Sequence, residues 1–137
     1  MYRSLHQYLT FFQPRGIIFI EKIREKETKT MTRAILVNTE HNYVAYGHQK
    51  FENNESFEVE PHATIQALIK AKREEIAGGT LFVWRYPCYE CAKAIVYAGI
   101  RKVVYKHDDH ADPTRPESQL LFEHSGVEVV KNEDLGF

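Results

Sequence analysis

The chain contains two cysteines, Cys88 and Cys91, separated by two residues and preceded by a proline. Side chains at positions i and i+3 project from the same face of a helix, so two thiolates at this spacing can bind one metal ion. A histidine, His62, lies upstream at the expected start of another helix. Two thiolates and one imidazole leave the fourth tetrahedral position open, as in a catalytic zinc site rather than a structural one. The pattern predicts one Zn²⁺ per chain, held by His62, Cys88 and Cys91.

The expected position of these ligands at helix N-termini favours metal binding. The partial positive charge of a helix start favours thiolate over thiol, and neutral over charged imidazole. A zinc ion at such a site lowers the pKa of a bound water toward ~7 and so provides hydroxide at neutral pH. A thioredoxin-like redox pair would use the same Cys-x-x-Cys spacing and is the alternative interpretation. His62, at a matching helix start, favours the metal site.

Size and composition indicate one ordinary globular unit. The 137 residues fall in the range of a single domain, and 43% of them are hydrophobic. The formal net charge of -1 gives no strong attraction to nucleic acid or to a membrane surface. The longest apolar run, 16–20, is far shorter than the ~20 residues that span a bilayer, and it lacks the features of a signal peptide. We therefore expect a cytoplasmic location, where paired thiols more often bind metal than form disulfides.

Hydrophobic patterning predicts an α/β fold with helices packed on the faces of the sheet. A helix that begins at Cys88 between two strands implies a right-handed parallel crossover. The expected elements are a hairpin of strands at 34–38 and 43–47, a helix from Pro61 to the Gly78-Gly79 pair, a buried central strand at 80–86, the helix from Cys88, a strand at 102–106, a helix at 116–125 and a strand at 127–130.

The first part of the chain is the least informative. Pro14 and Gly16 interrupt any helix at the start, whereas Ile17 to Lys29 has the pattern of an amphipathic helix. We therefore divide the chain into an N-terminal extension or helix, residues 1–32, and a zinc-binding domain, residues 33–137.

Three segments of the chain resemble the cytidine and deoxycytidylate deaminase superfamily. They are Pro61-His62-Ala63, Pro87 to Ile95, and Ala98 to Tyr105. The resemblance is closest to the deoxycytidylate (dCMP) branch and spans roughly Ala34 to Val130. It implies a three-layer α/β/α fold with a mixed sheet of about five strands, helices on both faces, and zinc between two helix starts. It also implies hydrolytic removal of the 4-amino group of a pyrimidine nucleotide such as dCMP, in a homo-oligomer.

The chain departs from this family at the position that moves protons. The signature H-x-E…P-C-x-x-C places a glutamate two residues after the histidine, and this chain has Thr64 there. A threonine hydroxyl cannot take up a proton at neutral pH, and general acid–base catalysis is worth ~10²–10⁴-fold, so we expect impaired activity. The resemblance implies substrate contacts from Gln49, His48, Ala63, Trp84 and Tyr86, with Gln49 and Trp84 standing where relatives often carry asparagine and threonine.

Other acids are candidates to replace the missing carboxylate, although acids in loops are usually just solvated. These candidates are Glu90 between the two cysteines and the loop residues Glu58, Glu60, Asp108 and Asp109. The run from His107 to His110 also suggests a second metal site, for which a polar surface loop is the commoner explanation.

Two functions remain open at this point. The first is a zinc-dependent deaminase of dCMP-like nucleotides, with Lys50 or Arg85 as candidate phosphate contacts. The second is a catalytically silent protein of the same fold that binds a nucleotide or pairs with an active partner. A nucleic-acid editor is a weaker third possibility, because the basic cluster of Lys70, Lys72 and Arg73 stands in a chain without overall positive charge.

Overall fold

The computed structural model describes residues 31–50, 62–108 and 112–135, which form one mixed sheet with helices. The strands are β1 (Met31–Val37), β2 (Tyr43–Lys50), β3 (Thr80–Arg85), β4 (Lys102–His107) and β5 (Glu128–Lys131), and the helices are α1 (Ala63–Ile69), α2 (Arg73–Ile76), α3 (Tyr89–Tyr97) and α4 (Arg115–Ser125). The strand order is β2-β1-β3-β4-β5. β1 is antiparallel to both of its neighbours, whereas β3, β4 and β5 are parallel. The predicted hairpin, central strand and five-stranded mixed sheet are confirmed.

Alternation along the strands separates two apolar clusters. On β3, Leu81 and Val83 belong to the larger cluster, which also contains buried apolar residues from each of the four described helices. Phe82 faces the other way and packs with Ile35 and Val104 in a smaller cluster. Among the described residues, no helix contributes to that smaller cluster. Helices on the second face of the sheet therefore remain a prediction that concerns the rest of the chain.

The prediction of one long helix between Pro61 and the Gly78-Gly79 pair is wrong in one respect. The structure divides it into α1 and the single-turn helix α2. The backbone N–H of Lys72 donates to the Glu75 carboxylate at 3.1 Å, so Glu75 caps the start of α2. His62, expected within the first turn, is the N-cap residue of α1.

Several expectations lie outside the described residues. These are the helix from Ile17 to Lys29 and the loop acids Glu58, Glu60 and Asp109. The division into residues 1–32 and 33–137 stays a prediction. In the described part of the chain, no helix combines the length and the apolar character that crossing a bilayer requires.

Candidate metal centre

The three predicted ligands converge at the starts of two helices. His62 is the N-cap of α1, Cys88 is the N-cap of α3, and Cys91 lies one turn into α3. The Nδ1 atom of His62 is 3.4 Å from the Sγ atom of Cys88 and 3.3 Å from that of Cys91. All three ligand atoms lie within 4.8 Å of one another, and this is the metal-binding group found among the described residues.

These distances fit zinc. With Zn–N and Zn–S bonds of ordinary length at tetrahedral angles, a nitrogen and a sulfur ligand should be about 3.6 Å apart. The two measured separations, 3.3 and 3.4 Å, need only a small expansion to reach that value. Two sulfurs and one imidazole are also a donor set that zinc prefers, and three protein ligands leave one position for water or substrate.

The two thiols form a coupled pair. The pKa of Cys88 is lowered to about 4, chiefly because the Cys91 thiol donates a hydrogen bond to it; burial opposes this shift and contact with His62 adds to it. The pKa of Cys91 is raised, first by the same hydrogen bond and then by burial. The two pKa shifts have opposite directions because one hydrogen bond joins the two sulfurs. A bound divalent cation would take both sulfurs as thiolates, because thiol ligands bind in their deprotonated form.

The start of α1 is set by close backbone packing against β2. A Cβ atom on Gly47 would lie 2.0 Å from the carbonyl oxygen of Ala63 and 2.7 Å from the backbone nitrogen of Ala67. Only glycine permits this approach. The same packing buries Ala63 and Thr64, and Thr64 is only 6% exposed. Position 64 is thus an interior position, two residues along the chain from a candidate ligand.

The segment before Cys88 is packed against the start of α4. The guanidinium of Arg115 lies 4.0 Å from the ring centre of Tyr86, and Tyr86 makes an edge contact with Tyr105 at 5.0 Å. Arg115 Nη1 also donates to Asp108 Oδ1 at 2.6 Å, and Lys131 Nζ donates to the other carboxylate oxygen at 2.9 Å. Tyr86 is therefore buried in a charged and aromatic network beside the candidate ligands.

The remaining predicted substrate contacts are not brought together around the three ligands. Trp84 follows Phe82 by two residues on β3, so it lies on the same face of the sheet as Phe82 and on the face opposite to Val83. Its ring makes an edge contact with the ring of His107, with 4.9 Å between the ring centres. His48 stacks on Tyr46, the partner of Ile35 across the hairpin. Gln49 pairs through its backbone with Thr32 at the end of β2. The substrate roles of Trp84, His48 and Gln49 stay predictions.

Two of the alternative acids are engaged elsewhere. Glu90 is largely exposed and forms an ion pair with Lys93 at 3.0 Å on the outer surface of α3. Asp108 is held by Arg115 and Lys131, and these contacts dominate its electrostatics. Hydrogen bonds from Lys131 and Arg115 lower the pKa of Asp108 to about 2, against the opposing effect of burial. Two of the four residues of the second-metal hypothesis, Asp109 and His110, lie outside the described ranges, so it stays untested.

Sequence reasoning missed three residues that shape the site: Gly47, Thr114 and Arg115. The sequence places Gly47 at the end of a predicted strand but does not indicate a close backbone approach. Thr114 and Arg115 lie more than 20 residues after Cys91, before the helix predicted at 116–125. Asp112 and Pro113 are residue types common in turns, but no local pattern indicates which helix the turn contacts.

Comparisons with known proteins agree with this geometry. The cytidine and deoxycytidylate deaminase zinc-binding region matches residues 19–107. The deoxycytidylate deaminase of Mus musculus is 28% identical over 134 residues, covering 85% of this chain and 75% of the relative. Among solved structures, the dCMP deaminase of cyanophage S-TIM5 in apo form aligns with a TM-score of 0.57 and 27% identity, over 88% of this chain and 99% of that chain.

A more distant structure shows how widely the fold is shared. RibD of Acinetobacter baumannii aligns with a TM-score of 0.64 at 24% identity, over 96% of this chain and 37% of that chain. The matched family region contains His62, Cys88 and Cys91, the side chains that converge in the structure. The chain therefore belongs to the cytidine and deoxycytidylate deaminase family, whose enzymes are zinc-binding hydrolases.

Proposed function

We propose that this protein is a zinc-dependent deaminase of a cytosine nucleotide of the dCMP type, with one zinc per chain, and that Thr64 impairs its activity. The observation that carries the proposal is the convergence of His62 Nδ1 and the two cysteine sulfurs within 4.8 Å, at the starts of α1 and α3. The relatives named deoxycytidylate deaminases support the nucleotide class. The expected change is the hydrolysis of the 4-amino group to a carbonyl with release of ammonia.

The proposal assigns a separate role to each group of residues. His62, Cys88 and Cys91 would hold the metal, which when bound activates water by lowering its pKa. Thr64, two residues after His62, is buried. Its hydroxyl can donate and accept hydrogen bonds and so orient a water molecule, but it cannot store a proton at neutral pH. We assign Ala63 and Tyr86 to the substrate pocket from the family resemblance and because both are buried within two residues of a ligand, and Gln49, His48 and Trp84 from the family resemblance alone.

The alternative is a catalytically silent protein that binds a nucleotide or pairs with an active partner. It is favoured by the absence of a carboxylate at position 64 and by the engagement of Glu90 and Asp108 in ion pairs. In that case the metal centre would have a structural role and would hold the starts of α1 and α3 together. Both versions require zinc, so activity rather than metal content separates them.

We also propose a homo-oligomer. Three large apolar side chains on three helices are exposed in the single chain: Ile69 on α1 at 72%, Tyr97 on α3 at 77% and Leu120 on α4 at 66%. The buried cores of interfaces between identical subunits are enriched in apolar and aromatic side chains. Analytical ultracentrifugation of the full chain tests this proposal, and a monomer across the micromolar range would contradict it.

Metal content is the first test of the proposed function. Elemental analysis of the purified protein should find about one zinc per chain, and Cys88→Ala or Cys91→Ala should lose it, because two ligands cannot hold the ion tightly. Ser118→Ala, a buried hydroxyl in α4 that is not a ligand, is the matched control and should keep its zinc. A wild-type protein without transition metal would overturn the proposal.

Activity is the second test. The wild-type rate on dCMP should be near background, and Thr64→Glu should raise it by about 10²-fold or more, because general acid–base catalysis is typically worth ~10²–10⁴-fold. Thr64→Gln adds nearly the same volume without an acid and should stay at the wild-type level. The comparison should include CMP, deoxycytidine and a short single-stranded DNA. Brisk wild-type deamination that Thr64→Glu leaves unchanged would refute the impairment, and an inactive Thr64→Glu protein with full zinc would favour the silent alternative.

A further inference from the structure

The first backbone N–H of α3 is bound by a side chain from another helix. The N–H of Tyr89, the first residue of α3, donates to the hydroxyl oxygen of Thr114 at 3.1 Å. That hydroxyl donates in turn to Asp112 Oδ1 at 2.7 Å, and the same carboxylate oxygen accepts the backbone N–H of Thr114 at 2.8 Å. The backbone N–H groups can only donate and the carboxylate oxygen can only accept, so the direction of each of these hydrogen bonds is fixed.

This contact satisfies a backbone group that the N-cap side chain does not normally serve. The first four N–H groups of a helix lack partners within the helix, and the side chain of the N-cap residue normally accepts the N–H of the second or third helical residue. The N-cap residue of α3 is Cys88, whose sulfur lies against His62. The N–H of Tyr89, the first residue of α3, is bound instead by Thr114, 25 residues further along the chain from Tyr89.

Thr114 is itself held firmly. It is the N-cap residue of α4, and its carbonyl oxygen accepts the backbone N–H of Ser118 at 3.1 Å. Asp112 also accepts the N–H of Arg115 through its carbonyl oxygen at 3.3 Å. Because the backbone of Thr114 and the turn before it are held in this way, the Thr114 hydroxyl can set the position of the Tyr89 backbone that it binds.

We propose that Thr114, oriented by Asp112, is a positioning residue for the metal centre: its hydroxyl holds Tyr89 and so fixes the backbone that carries Cys88 and Cys91. The inference rests on the proposed zinc site and adds a contact outside the ligand set. Thr114 touches neither metal nor substrate, and it acts through the adjoining peptide. The outer partners of metal ligands typically contribute 10–100-fold in affinity.

The test measures metal binding rather than catalysis. Thr114→Val keeps the shape of the side chain but removes the hydroxyl, whereas Thr114→Ser keeps the hydroxyl. Ser118→Ala is the matched control, because it removes a buried hydroxyl from the same helix while the Thr114 carbonyl oxygen that this hydroxyl contacts still accepts the backbone N–H of residue 118. Each full-length protein is stripped of metal and titrated with Co²⁺ and with Zn²⁺ against a competing chelator. The absorption bands of thiolate-bound Co²⁺ report the geometry of the centre.

Thr114→Val should bind Zn²⁺ about tenfold more weakly and show altered Co²⁺ bands, while Thr114→Ser and Ser118→Ala should match the wild type. A folded Thr114→Val protein with wild-type affinity and spectrum would overturn the inference, and so would an equal loss in Ser118→Ala. If Thr114→Val does not fold, Asp112→Ala provides the same test, because it removes the acceptor that orients the hydroxyl; unchanged affinity and bands there would also overturn it. A wild-type protein that binds neither ion would instead refute the proposed function.

Discussion

The two helix starts that carry the candidate ligands are built in different ways. The start of α3 is held by polar and aromatic contacts from α4, through Thr114 on Tyr89 and Arg115 on Tyr86. The start of α1 is held by backbone packing, since a Cβ on Gly47 would meet the Ala63 carbonyl oxygen at 2.0 Å. A lost hydrogen bond can be replaced in part by water, whereas a steric overlap with backbone forces a movement. The centre should therefore tolerate changes around Cys88 better than changes beneath His62.

The largest effect is expected at Gly47. Gly47→Ala places a methyl group against the backbone of α1, so the helix must shift and carry His62 away from the two sulfurs. We expect a loss of about 3 kcal/mol in the free energy of unfolding, the upper end of overpacking effects, together with loss of stoichiometric zinc. Urea denaturation and elemental analysis measure the two effects.

Gly126→Ala is the control for this substitution. Gly126 ends α4 with a φ of 73°, and a Cβ there would meet nothing within 4 Å. It should lose only about 1 kcal/mol from backbone strain and keep its zinc. If Gly47→Ala is no more damaging than Gly126→Ala, the packing of α1 against β2 does not set the position of His62.

A smaller loss is expected at Arg115 on the α3 side. Arg115→Ala removes the ion pair with Asp108 and the guanidinium over Tyr86, and should reduce stability by about 2 kcal/mol, since hydrogen bonds to charged groups contribute ~1.5–3 kcal/mol. Arg115→Lys should recover only part of this, because lysine lacks the planar group that stacks. Arg101→Ala, at an exposed position before β4, should stay within about 0.5 kcal/mol of wild type. Equal losses at Arg115 and Arg101 would contradict this role of the network.

The pH dependence of stability isolates the same network. The pKa of Asp108 is about 2 in the folded protein, against an ordinary value of 3.8. A lowered folded-state pKa adds stability that is complete above the ordinary value and is lost as pH falls from 3.8 toward 2. Asp108→Asn should lower the Tm by about 3–6 °C at pH 7. The difference in Tm between Asp108→Asn and the wild type should become smaller below pH 4 and nearly vanish around pH 2.

This comparison should be made with a chelator present, so that protonation of the metal ligands does not contribute. Thermal unfolding followed by circular dichroism measures both proteins across the same pH series. A gap that stays constant between pH 5 and pH 2.5 would show that the contacts of Asp108 with Arg115 and Lys131 do not depend on its charge.

The sheet and the ligand positions could be predicted because their signals are local. A β-branched and aromatic run predicts β3, and the spacing of Cys88 and Cys91 directly after that run predicts the start of α3. The division between α1 and α2 could not be predicted, because apolar residues continue at helical spacing through it and the Glu75 cap is visible only in three dimensions. Contacts between distant segments were also out of reach, since no local pattern links Thr114 to Tyr89.

The smallest effect is expected from removing the acid at Glu90. This substitution tests whether an acid at the start of α3 acts like the one that Thr64→Glu introduces at the start of α1. Glu90 is 77% exposed and paired with Lys93, and exposed ion pairs contribute little. Glu90→Gln should change the Tm by less than about 2 °C and leave the activity of Thr64→Glu unaltered, because a carboxylate on the outer surface of α3 cannot reach the substrate. Kinetics on dCMP with Thr64→Glu alone and with both changes provide the measurement. A tenfold or greater fall in the double variant would identify Glu90 as a proton carrier, and the position of an acid relative to the metal would then matter less than its presence.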